Sequence, residues 1–374
     1  MKDIPRQFDY LKKILSETHR NSLDRYLQGG GSPPLIVEFD PTTACNFSCP
    51  ECISRDLLNR TSISTEDIRM LINKIADLGT KGIIFVGGGE PLAHKAMPMP
   101  LEWAYERGLS VGLTTNGSLI DRYIDEIATM VSWTRVSMDA GCEETHQKYR
   151  PNKLRSAFST ITKSMEKLAR IKRGDLGYSF LAIERATGGR VETNIGEIEM
   201  AARLAKDIGC DYFEVKPAVD QNHHLQPFSE YNKRVLEEQY SLSKALETNH
   251  FRVHFTDGVF HSMRDDTSQK KEYQQCHAAH LRTLITPDGV FPCPYWRGSQ
   301  SKRLGSVDDQ SLSSVWQGSS NEKLDELIDP SRDCSFYCIR DGFNKSIELL
   351  KRAEQQGVSL SQHLLRNDSK DVFF

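Results

Sequence analysis

Short apolar runs recur along the first part of the chain, and polar segments with helical patterning separate them. The six runs before residue 220 are 35–40, 82–89, 110–117, 134–141, 178–184 and 211–217. Between them, residues 64–78 begin with the capping signal STED, and residues 197–208 carry apolar positions at helical spacing. Parallel strands need helical crossovers of this kind. The alternation therefore predicts an α/β fold, a partial (β/α)6 TIM-like barrel whose strand-to-helix loops form one functional face.

The pattern changes on both sides of this repeat, which predicts four segments. Residues 1–34 are expected to form an N-terminal helical extension that stops at a run of three glycines, 29–31. The barrel is expected over 35–250. Residues 251–345 are expected to form a small C-terminal domain carrying a β-hairpin, because 281–296 has two apolar stretches joined by Pro-Asp-Gly. Residues 346–374 are expected to form a helical tail.

The amino-acid composition argues against nucleic acid and membranes as partners of this chain. Of the 374 residues, 38% are hydrophobic and 26% are charged, and 48 Lys and Arg against 51 Asp and Glu give a formal net charge of −3. This balance creates no field that attracts nucleic acid or an anionic membrane. No apolar run is long enough for a signal peptide or a membrane span, so we expect a cytoplasmic protein. In that reducing compartment the nine cysteines are expected to serve metal or redox chemistry.

Three cysteines follow the first predicted strand at C-x-x-x-C-x-x-C spacing: Cys45, Cys49 and Cys52. Three thiolates leave a tetrahedral structural zinc site incomplete, whereas a 4Fe-4S cluster held by three cysteines keeps one iron open for a small ligand. A zinc site with a distant fourth ligand and a chance spacing are the alternatives. The triplet resembles the signature of the radical S-adenosylmethionine (SAM) superfamily, in which the amino and carboxylate groups of SAM chelate the open iron.

A second motif of that family follows the second predicted strand. Gly88, Gly89, Glu90 and Pro91 resemble the GGE motif, whose backbone and carboxylate receive the ammonium group of SAM. Glycines suit this role because they permit close approach of the backbone. A glycine turn after a buried strand is the alternative for this stretch alone. The two motifs stand in the family's order, and the resemblance covers residues 35–217.

Polar residues at the next two strand ends resemble further SAM-binding positions of the family: Thr115, Asn116, Ser137 and Asp139. The resemblance implies hydrogen bonds to the carboxylate or ribose of SAM, and ordinary capping of a strand end is the alternative. Arg150 is expected to pair with the SAM carboxylate, or else to be an exposed arginine on a helix. One position departs from the family: Glu51 stands where an aromatic residue usually precedes the third cysteine, which changes the packing expected near the adenine.

Four further cysteines lie in the predicted C-terminal domain: Cys276, Cys293, Cys334 and Cys338. The first two flank the hairpin, and the last two, at i and i+4, are expected on one face of a helical turn. Four converging thiolates suit a closed zinc site or an iron–sulfur cluster. With Gly289 shortly before Cys293, the pattern resembles the opening half of a SPASM domain. Since a full SPASM domain needs more cysteines, the resemblance implies the shorter twitch version with one auxiliary 4Fe-4S cluster.

Two cysteines belong to neither set. Cys210 precedes a strand and is expected to be a small buried hydrophobic residue. Cys142 follows the fourth strand on the functional face, where it is either a catalytic hydrogen-atom donor or an incidental loop residue. After the sixth strand, Lys216 and the polar residues of 220–224 are expected to line a substrate pocket or to face solvent.

The resemblance implies an enzyme that reductively cleaves SAM to a 5′-deoxyadenosyl radical, which abstracts a hydrogen atom from substrate. Family members with twitch domains indicate an oxidoreductase of natural-product biosynthesis that dehydrogenates or epimerises a small molecule such as a sugar, an aminocyclitol or an aminoglycoside. The four-cysteine cluster would accept the electron of an oxidised substrate. The expected partners are that small molecule and a flavodoxin- or ferredoxin-type electron donor, without nucleic acid or membrane.

Two other functions stay open at this point. The first is maturation of a ribosomally synthesised peptide; such enzymes often begin with a leader-recognition domain, and the roughly 34 residues before the first predicted strand are too few for one. This favours the small-molecule substrate. The second is a non-catalytic metal-binding scaffold, which would not need the GGEP loop.

Overall fold

The computed structural model describes residues 17–29, 33–265, 269–308 and 320–356. The α-helices in these ranges are α1 (Glu17–Leu27), α2 (Thr65–Asp77), α3 (Met99–Glu106), α4 (Ile124–Met130), α5 (Glu143–Tyr149), α6 (Ala157–Ile171), α7 (Ile198–Ile208), α8 (Glu230–Lys244), α9 (Asp257–Met263), α10 (His277–Leu281), α11 (Ser320–Leu327), α12 (Pro330–Asp333) and α13 (Asp341–Gln355). The strands are β1 (Ile36–Phe39), β2 (Gly82–Phe85), β3 (Ser110–Thr115), β4 (Trp133–Ser137), β5 (Asp175–Ala182), β6 (Glu184–Thr187), β7 (Arg190–Thr193), β8 (Tyr212–Pro217), β9 (Arg252–Phe255), β10 (Arg282–Thr286) and β11 (Gly289–Phe291).

One sheet organises the fold. Its strand order is β11-β10-β1-β2-β3-β4-β5-β8-β9, and all neighbouring pairs are parallel except β10 and β11. The six predicted strands correspond to β1–β5 and β8, and α2 and α7 lie where the pattern predicts them. The α/β class and the partial TIM-like barrel are therefore confirmed.

Helix α2 shows how a crossover is specified locally. Ser64 caps the helix, because its Oγ accepts a hydrogen bond from the N–H of Asp67 at 3.0 Å. Ile68, Leu71 and Ile75 repeat at helical spacing, and each is fully buried. This apolar stripe lies in the core shared with the sheet and fixes which side of the helix faces the barrel.

The barrel strands present two different faces. Along β4 and β8, alternate residues such as Val136 and Phe213 are fully buried and join the core under the helices. The residues between them face the barrel interior and stay half-buried. This inner face carries charge, namely Arg135 on β4 and Glu214 and Lys216 on β8.

The structure differs from the sequence pattern at three places. The βα rhythm continues past residue 250, because β9 extends the parallel sheet beside β8. The pattern does not predict the β6–β7 hairpin, whose alternation is weak and whose residues are largely exposed or half-buried. The predicted hairpin is present as β10–β11, and β10 also pairs in parallel with β1, so it continues the barrel sheet. The division into four segments stays a prediction.

The described ends of the chain pack on each other. In α1, Leu23 and Tyr26 belong to one buried cluster with Phe343 and Ile347 of α13. The predicted extension and tail otherwise fall largely on residues 1–16, 30–32 and 357–374, which lie outside the described residues. Among the described helices, none is both long and apolar enough to cross a membrane.

Candidate functional site

The cysteines of the first motif lie in the loop that leaves the carboxyl end of β1. Asn59 orders the start of the loop, since its Oδ1 accepts the N–H of Cys45 at 3.1 Å and its own N–H donates to the Thr43 carbonyl at 2.7 Å. Further on, the N–H of Cys52 donates to the Cys49 carbonyl at 3.2 Å. Burial is the largest cause that raises the pKa of the Cys45 and Cys49 thiols, and Cys52 adds to both shifts. All three cysteines are half-buried in this one loop.

The glycine loop after β2 packs directly on the cysteine loop. A Cβ on Gly89 would lie 2.2 Å from the carbonyl oxygen of Ala44, so glycine alone fits at this contact. The N–H of Glu90 donates to the same carbonyl at 2.8 Å. The two sequence motifs therefore meet at one edge of the sheet.

Glu90 is buried, and three donors hold its carboxylate. Oε1 accepts from Thr115 Oγ1 at 2.6 Å and from the N–H of Leu92 at 3.1 Å, while Oε2 accepts from the N–H of Asn116 at 2.7 Å. Burial raises the pKa of Glu90, and these hydrogen bonds oppose the rise. A carboxylate has about four acceptor positions. One position on Oε2 is therefore available to a further donor.

The predicted residues at the end of β3 contact protein groups. The Thr115 hydroxyl donates to Glu90, and Asn116 Nδ2 donates to Asn46 Oδ1 in the cysteine loop at 2.8 Å. Asn116 Oδ1 in turn accepts from Ser118 Oγ at 2.6 Å. Thr115 and Asn116 therefore position Glu90 and the cysteine loop, and their direct contact with SAM stays a prediction.

At the end of β4, Asp139 and Arg150 form an ion pair beside the cysteine loop. Oδ2 of Asp139 accepts from Arg150 Nη1 at 2.5 Å, and its Oδ1 accepts from the N–H of Leu181 at 2.8 Å. The Arg150 guanidinium lies 5.7 Å from the ring centroid of Phe47. Only 12% of the Arg150 side chain is exposed, so it is not the exposed helix arginine of the alternative. Ser137 lies two residues before Asp139 on the barrel-facing side of β4.

The two remaining cysteines lie at opposite ends of the barrel. Cys142 directly precedes α5, and its Sγ lies 3.6 Å from both Thr145 Oγ1 and Glu197 Oε1. This thiol is half-buried on the edge that carries the first motif. Cys210 precedes β8 and is 4% exposed, and burial raises its pKa, in agreement with a small buried hydrophobic residue. A role of Cys142 as hydrogen-atom donor stays a prediction.

The polar residues in the last part of β8 and in the turn after it do not lie together. Lys216 faces the barrel interior, whereas the His223 ring packs between Tyr295 and Phe336 at centroid distances of 5.0 and 5.8 Å. The carboxylate of Asp220 accepts backbone N–H groups of its own turn, 220–224. Lys216 therefore lines the barrel, whereas His223 packs against aromatic residues beside the four C-terminal cysteines.

The four C-terminal cysteines line one cavity: Cys276, Cys293, Cys334 and Cys338. Burial raises the pKa of each thiol, and the charges of the other thiols in the set contribute for the first three. The expected helical turn is wrong, because α12 ends at Asp333 and both last cysteines lie in the connection to α13. The connection brings them together without a helix.

The groups around this cavity fit an anionic iron–sulfur cluster. Arg340 Nη1 is a buried N–H donor without a hydrogen-bond partner among the described residues, and Trp296 donates towards Cys334; both side chains line the four-cysteine cavity. Asn344 Nδ2 lies 3.8 Å from Cys276 Sγ. Cluster sulfurs accept hydrogen bonds from such groups. Within the described residues, no group of three or more His, Cys, Asp or Glu side chains is arranged to hold a single metal ion.

Three buried ion pairs on two carboxylates, which sequence reasoning does not find, join the cysteine cavity to the barrel. Oε1 of Glu38 on β1 accepts from Arg340 at 2.6 Å and from Arg282 at 2.8 Å. Although burial opposes ionisation, the two arginines lower the pKa of Glu38 to about 2. The third pair joins Arg297 to Asp40, one residue beyond β1. The only sequence signal for these pairs is a charged residue within or just after an otherwise apolar strand.

The comparisons with known proteins agree with this geometry. Residues 39–182 match the family model described as the Radical SAM superfamily. Over 320 residues the chain is 24% identical to the AdoMet-dependent heme synthase of Methanosarcina barkeri, which covers 79% of the chain and 85% of that protein. Over 304 residues it is 22% identical to the mycofactocin maturase MftC of Mycobacterium tuberculosis, covering 78% of the chain and 72% of that protein. Over 134 residues the chain is 35% identical to the Fe-coproporphyrin III synthase of Methanosarcina barkeri, and this match covers 35% of the chain and 33% of that protein.

Among solved structures, the chain resembles SuiB of Streptococcus suis bound to the precursor peptide SuiA. The TM-score is 0.62 at 13% identity, and the alignment covers 90% of this chain and 77% of SuiB. At this identity the likeness concerns the fold alone. The shared fold includes both the barrel and the region that carries the four C-terminal cysteines.

Proposed function

Because the chain is a radical SAM superfamily enzyme with a SPASM/twitch-type auxiliary-cluster region, we propose that it is a maturase that oxidises a peptide substrate. The observation that carries this proposal is the likeness to the mycofactocin maturase, which spans 78% of the chain. The 4Fe-4S cluster and SAM that the family implies fit the residues at the edge of the sheet.

When bound, the cluster and SAM supply a 5′-deoxyadenosyl radical that takes a hydrogen atom from the substrate. In the proposal, Cys45, Cys49 and Cys52 hold three irons of the cluster. Glu90 keeps one acceptor position on Oε2 for the ammonium group of SAM. The neighbouring donors fix the orientation of this carboxylate before SAM arrives.

On the opposite side of the cysteine loop, Arg150 is proposed to face the carboxylate of SAM. Asp139 holds this guanidinium through one nitrogen, and Arg150 Nε is buried without a hydrogen-bond partner among the described residues. Burial opposes a charge on Arg150, but the neighbouring Cys49 and Asp139 raise its pKa, so it stays protonated. A fixed cation with a free N–H suits a carboxylate ligand.

The C-terminal cysteines are proposed to hold an auxiliary 4Fe-4S cluster that accepts the electron of the oxidised substrate. Four thiolates close all positions of such a cluster, so electron transfer suits it better than binding of substrate. The Arg340–Glu38 pair joins this cavity to the inner face of the barrel. A flavodoxin- or ferredoxin-type protein is the proposed electron donor for the first cluster.

The relatives favour a peptide over the sugar, aminocyclitol or aminoglycoside that the sequence motifs alone suggest, which gain no support from them. A second candidate rests on the heme synthase, whose likeness covers 85% of that relative. It would place a tetrapyrrole in the same barrel. Whether the reaction is dehydrogenation or epimerisation also stays a proposal.

The test uses the anaerobically reconstituted full chain with SAM, dithionite and two kinds of substrate, a library of short synthetic peptides and iron coproporphyrin. We expect 5′-deoxyadenosine to form and one group of peptides to lose two hydrogens, as measured by chromatography and mass spectrometry. Turnover of iron coproporphyrin alone would contradict the peptide proposal and support the second candidate.

Two variants test the assigned roles. Cys45→Ala is expected to abolish formation of 5′-deoxyadenosine. Cys334→Ala is expected to keep its formation but to yield no peptide oxidised by two electrons. Cys210→Ala is the matched control, because this thiol lies at the opposite end of the barrel. Normal oxidised product from Cys334→Ala would refute the electron-acceptor role.

A further inference from the structure

Three charged side chains form a cluster inside the barrel that no step above uses. Arg135 on β4 and Glu214 and Lys216 on β8 face inward. Strand β5 lies between the two strands, and its inward positions opposite this cluster are Gly177 and Ser179. Because both residues are small, long side chains from β4 and β8 can meet over β5. Arg135 Nη1 therefore comes within 3.5 Å of Glu214 Oε2 across the intervening strand.

Aromatic rings close the barrel below this cluster. A Cβ on Gly112 would lie 2.5 Å from Trp133 Cζ2, so the indole covers the backbone of β3. In the same way, a Cβ on Gly177 would lie 2.0 Å from Tyr212 Cζ. Trp133 and Tyr212 each precede a residue of the cluster by two positions, towards the amino end of the strands. The charged cluster is thus the floor of an interior that opens towards the edge carrying the SAM-binding motifs.

The cluster has more positive than negative charge. Lys216 Nζ lies 3.1 Å from the same Glu214 oxygen that faces Arg135, so two cations share one carboxylate. The Arg135 side chain also has a hydrogen bond with Tyr212, but its Nε is buried and has no hydrogen-bond partner among the described residues. Yet 28% of the Arg135 side chain and 28% of the Lys216 side chain are exposed. A small anion can therefore reach a site where two cations face one carboxylate and Arg135 Nε is a free donor.

We infer that Arg135 and Lys216 bind a carboxylate group of the substrate at the floor of the barrel. The inference deepens the proposed function and rests on it for the claim that this ligand is the substrate. The planar fork of an arginine matches a carboxylate, and Lys216 adds a second cation. Glu214 disfavours a dianion such as phosphate, because it already neutralises one of the two cations.

The position of the site fits a substrate that spans the barrel. Ser137, the last residue of β4, lies two residues beyond Arg135, and the turn to Asp139, which binds Arg150 beside the cysteine loop, follows it. At about 3.3 Å per residue the strand rises roughly 7 Å from Arg135 to Ser137. A carboxylate held at the floor would leave that length for the reactive part of the substrate below the SAM-binding edge.

The experiment reads occupancy at Lys216 without any turnover. The anaerobic holoprotein is labelled with a low concentration of acetic anhydride, and acetylation of Lys216 is followed by mass spectrometry. The probes are N-acetylglutamate amide, which carries a side-chain carboxylate, and N-acetylglycine, which carries a terminal one. The neutral N-acetylglutamine amide is the control. A carboxylate within about 4 Å raises the pKa of an ammonium group by about one unit, so a carboxylate probe is expected to slow labelling about tenfold.

Protection by one or both carboxylate probes, and not by the neutral amide, supports the site and identifies the source of the carboxylate. Arg135→Gln is expected to remove the protection, while Arg203→Gln, at an exposed helix arginine, keeps it. If Arg135→Gln does not fold, the comparison of probes in the wild-type protein still shows whether a carboxylate binds beside Lys216. Equal labelling with all probes, or protection by inorganic phosphate alone, would overturn the inference. Because the assay needs no SAM cleavage, its outcome is independent of whether a peptide is the substrate.

Discussion

The Arg297–Asp40 pair offers a sharp test of how the cysteine cavity is attached to the barrel. Arg297 Nε donates to Asp40 Oδ2 at 2.5 Å, Nη2 donates to Oδ1 at 3.2 Å, and Nη1 donates to Ser54 Oγ at 3.1 Å. The two side chains are 6% and 0% exposed. Arg297 thus ties the segment after Cys293 to the loop that carries the first cysteine motif. Arg297→Met keeps the length of the side chain and removes all three bonds.

The expected loss of stability follows from the burial of the carboxylate that remains. Removing one partner of a buried ion pair costs about 3–5 kcal/mol. At about 2.1 cal/mol/K per residue, unfolding of a chain of 374 residues has an entropy of about 0.8 kcal/mol/K. Arg297→Met is therefore expected to lower the Tm by about 4–6 °C.

The loss of stability in Arg297→Met also depends on pH, because it depends on the pKa of Asp40. Burial raises the pKa of Asp40, and Arg297 opposes this rise. Without Arg297 the pKa of the folded state rises further above the unfolded value, so the folded variant gains a proton. A group with a raised folded pKa contributes stability at low pH that is lost as pH increases. The deficit of Arg297→Met relative to wild type should hence be larger at the higher of two pH values that both lie above the unfolded pKa of aspartate.

The assay is differential scanning calorimetry of the anaerobic holoprotein, with iron content measured to show that both forms carry equal clusters. Arg203→Met is the matched control, because its partner Glu199 lies one turn away on an exposed helix face. Pairs of this kind contribute less than about 1 kcal/mol. A Tm of Arg297→Met equal to wild type at both pH values would refute the reasoning.

Three further predictions follow from the same geometry. Replacing Cys45, Cys49 and Cys52 together by alanine should lower the iron content from about eight to about four per chain, by elemental analysis; loss of all iron, or one zinc in place of four irons, would contradict two separate clusters. Gly89→Ala should impair loading of the first cluster, since its Cβ would meet Ala44 at 2.2 Å, whereas Gly196→Ala, with open space at its Cβ, should load normally. Arg340→Gln should lower the reduction potential of the auxiliary cluster by about 100 mV, the effect of one charge about 6 Å away at an effective dielectric constant of about 20; an unchanged potential in an EPR-monitored titration would exclude the contact.

The sequence predicts most of the barrel because its parallel strands are buried on the helix-covered face and read as apolar runs. Strand β9 escapes this pattern, since Arg252 and His254 alternate with Val253 and Phe255 over only four residues. Strand β10 is buried along its whole length and is predicted as a strand, but its parallel pairing with β1 joins positions such as Ile36 and Arg282. Nothing local specifies a partner so far away along the chain.

The candidate site also has one part that the sequence predicts and one part that it does not. Its motifs are readable because Cys45, Cys49 and Cys52 lie within eight residues, and because Gly89 has a backbone contact that no other residue fits. The ion pairs that support the motifs are not readable. Glu38 and Arg340 are 302 residues apart in the chain, and their pairing depends on the packing of the cysteine cavity against β1.

The departure at Glu51 is accounted for by one of these distant partners. Arg185, in the β6–β7 hairpin, donates to Glu51 through Nη1 at 2.7 Å and to Glu192 through Nε at 2.9 Å. Its guanidinium also lies 5.1 Å from the ring centroid of Tyr149. A planar group stacked on an aromatic ring therefore lies beside the third cysteine, although residue 51 itself is an acid. Glu51 in the cysteine loop and Arg185 in the β6–β7 hairpin therefore act together. Their ion pair holds the hairpin, which the sequence pattern does not predict, against the cysteine loop.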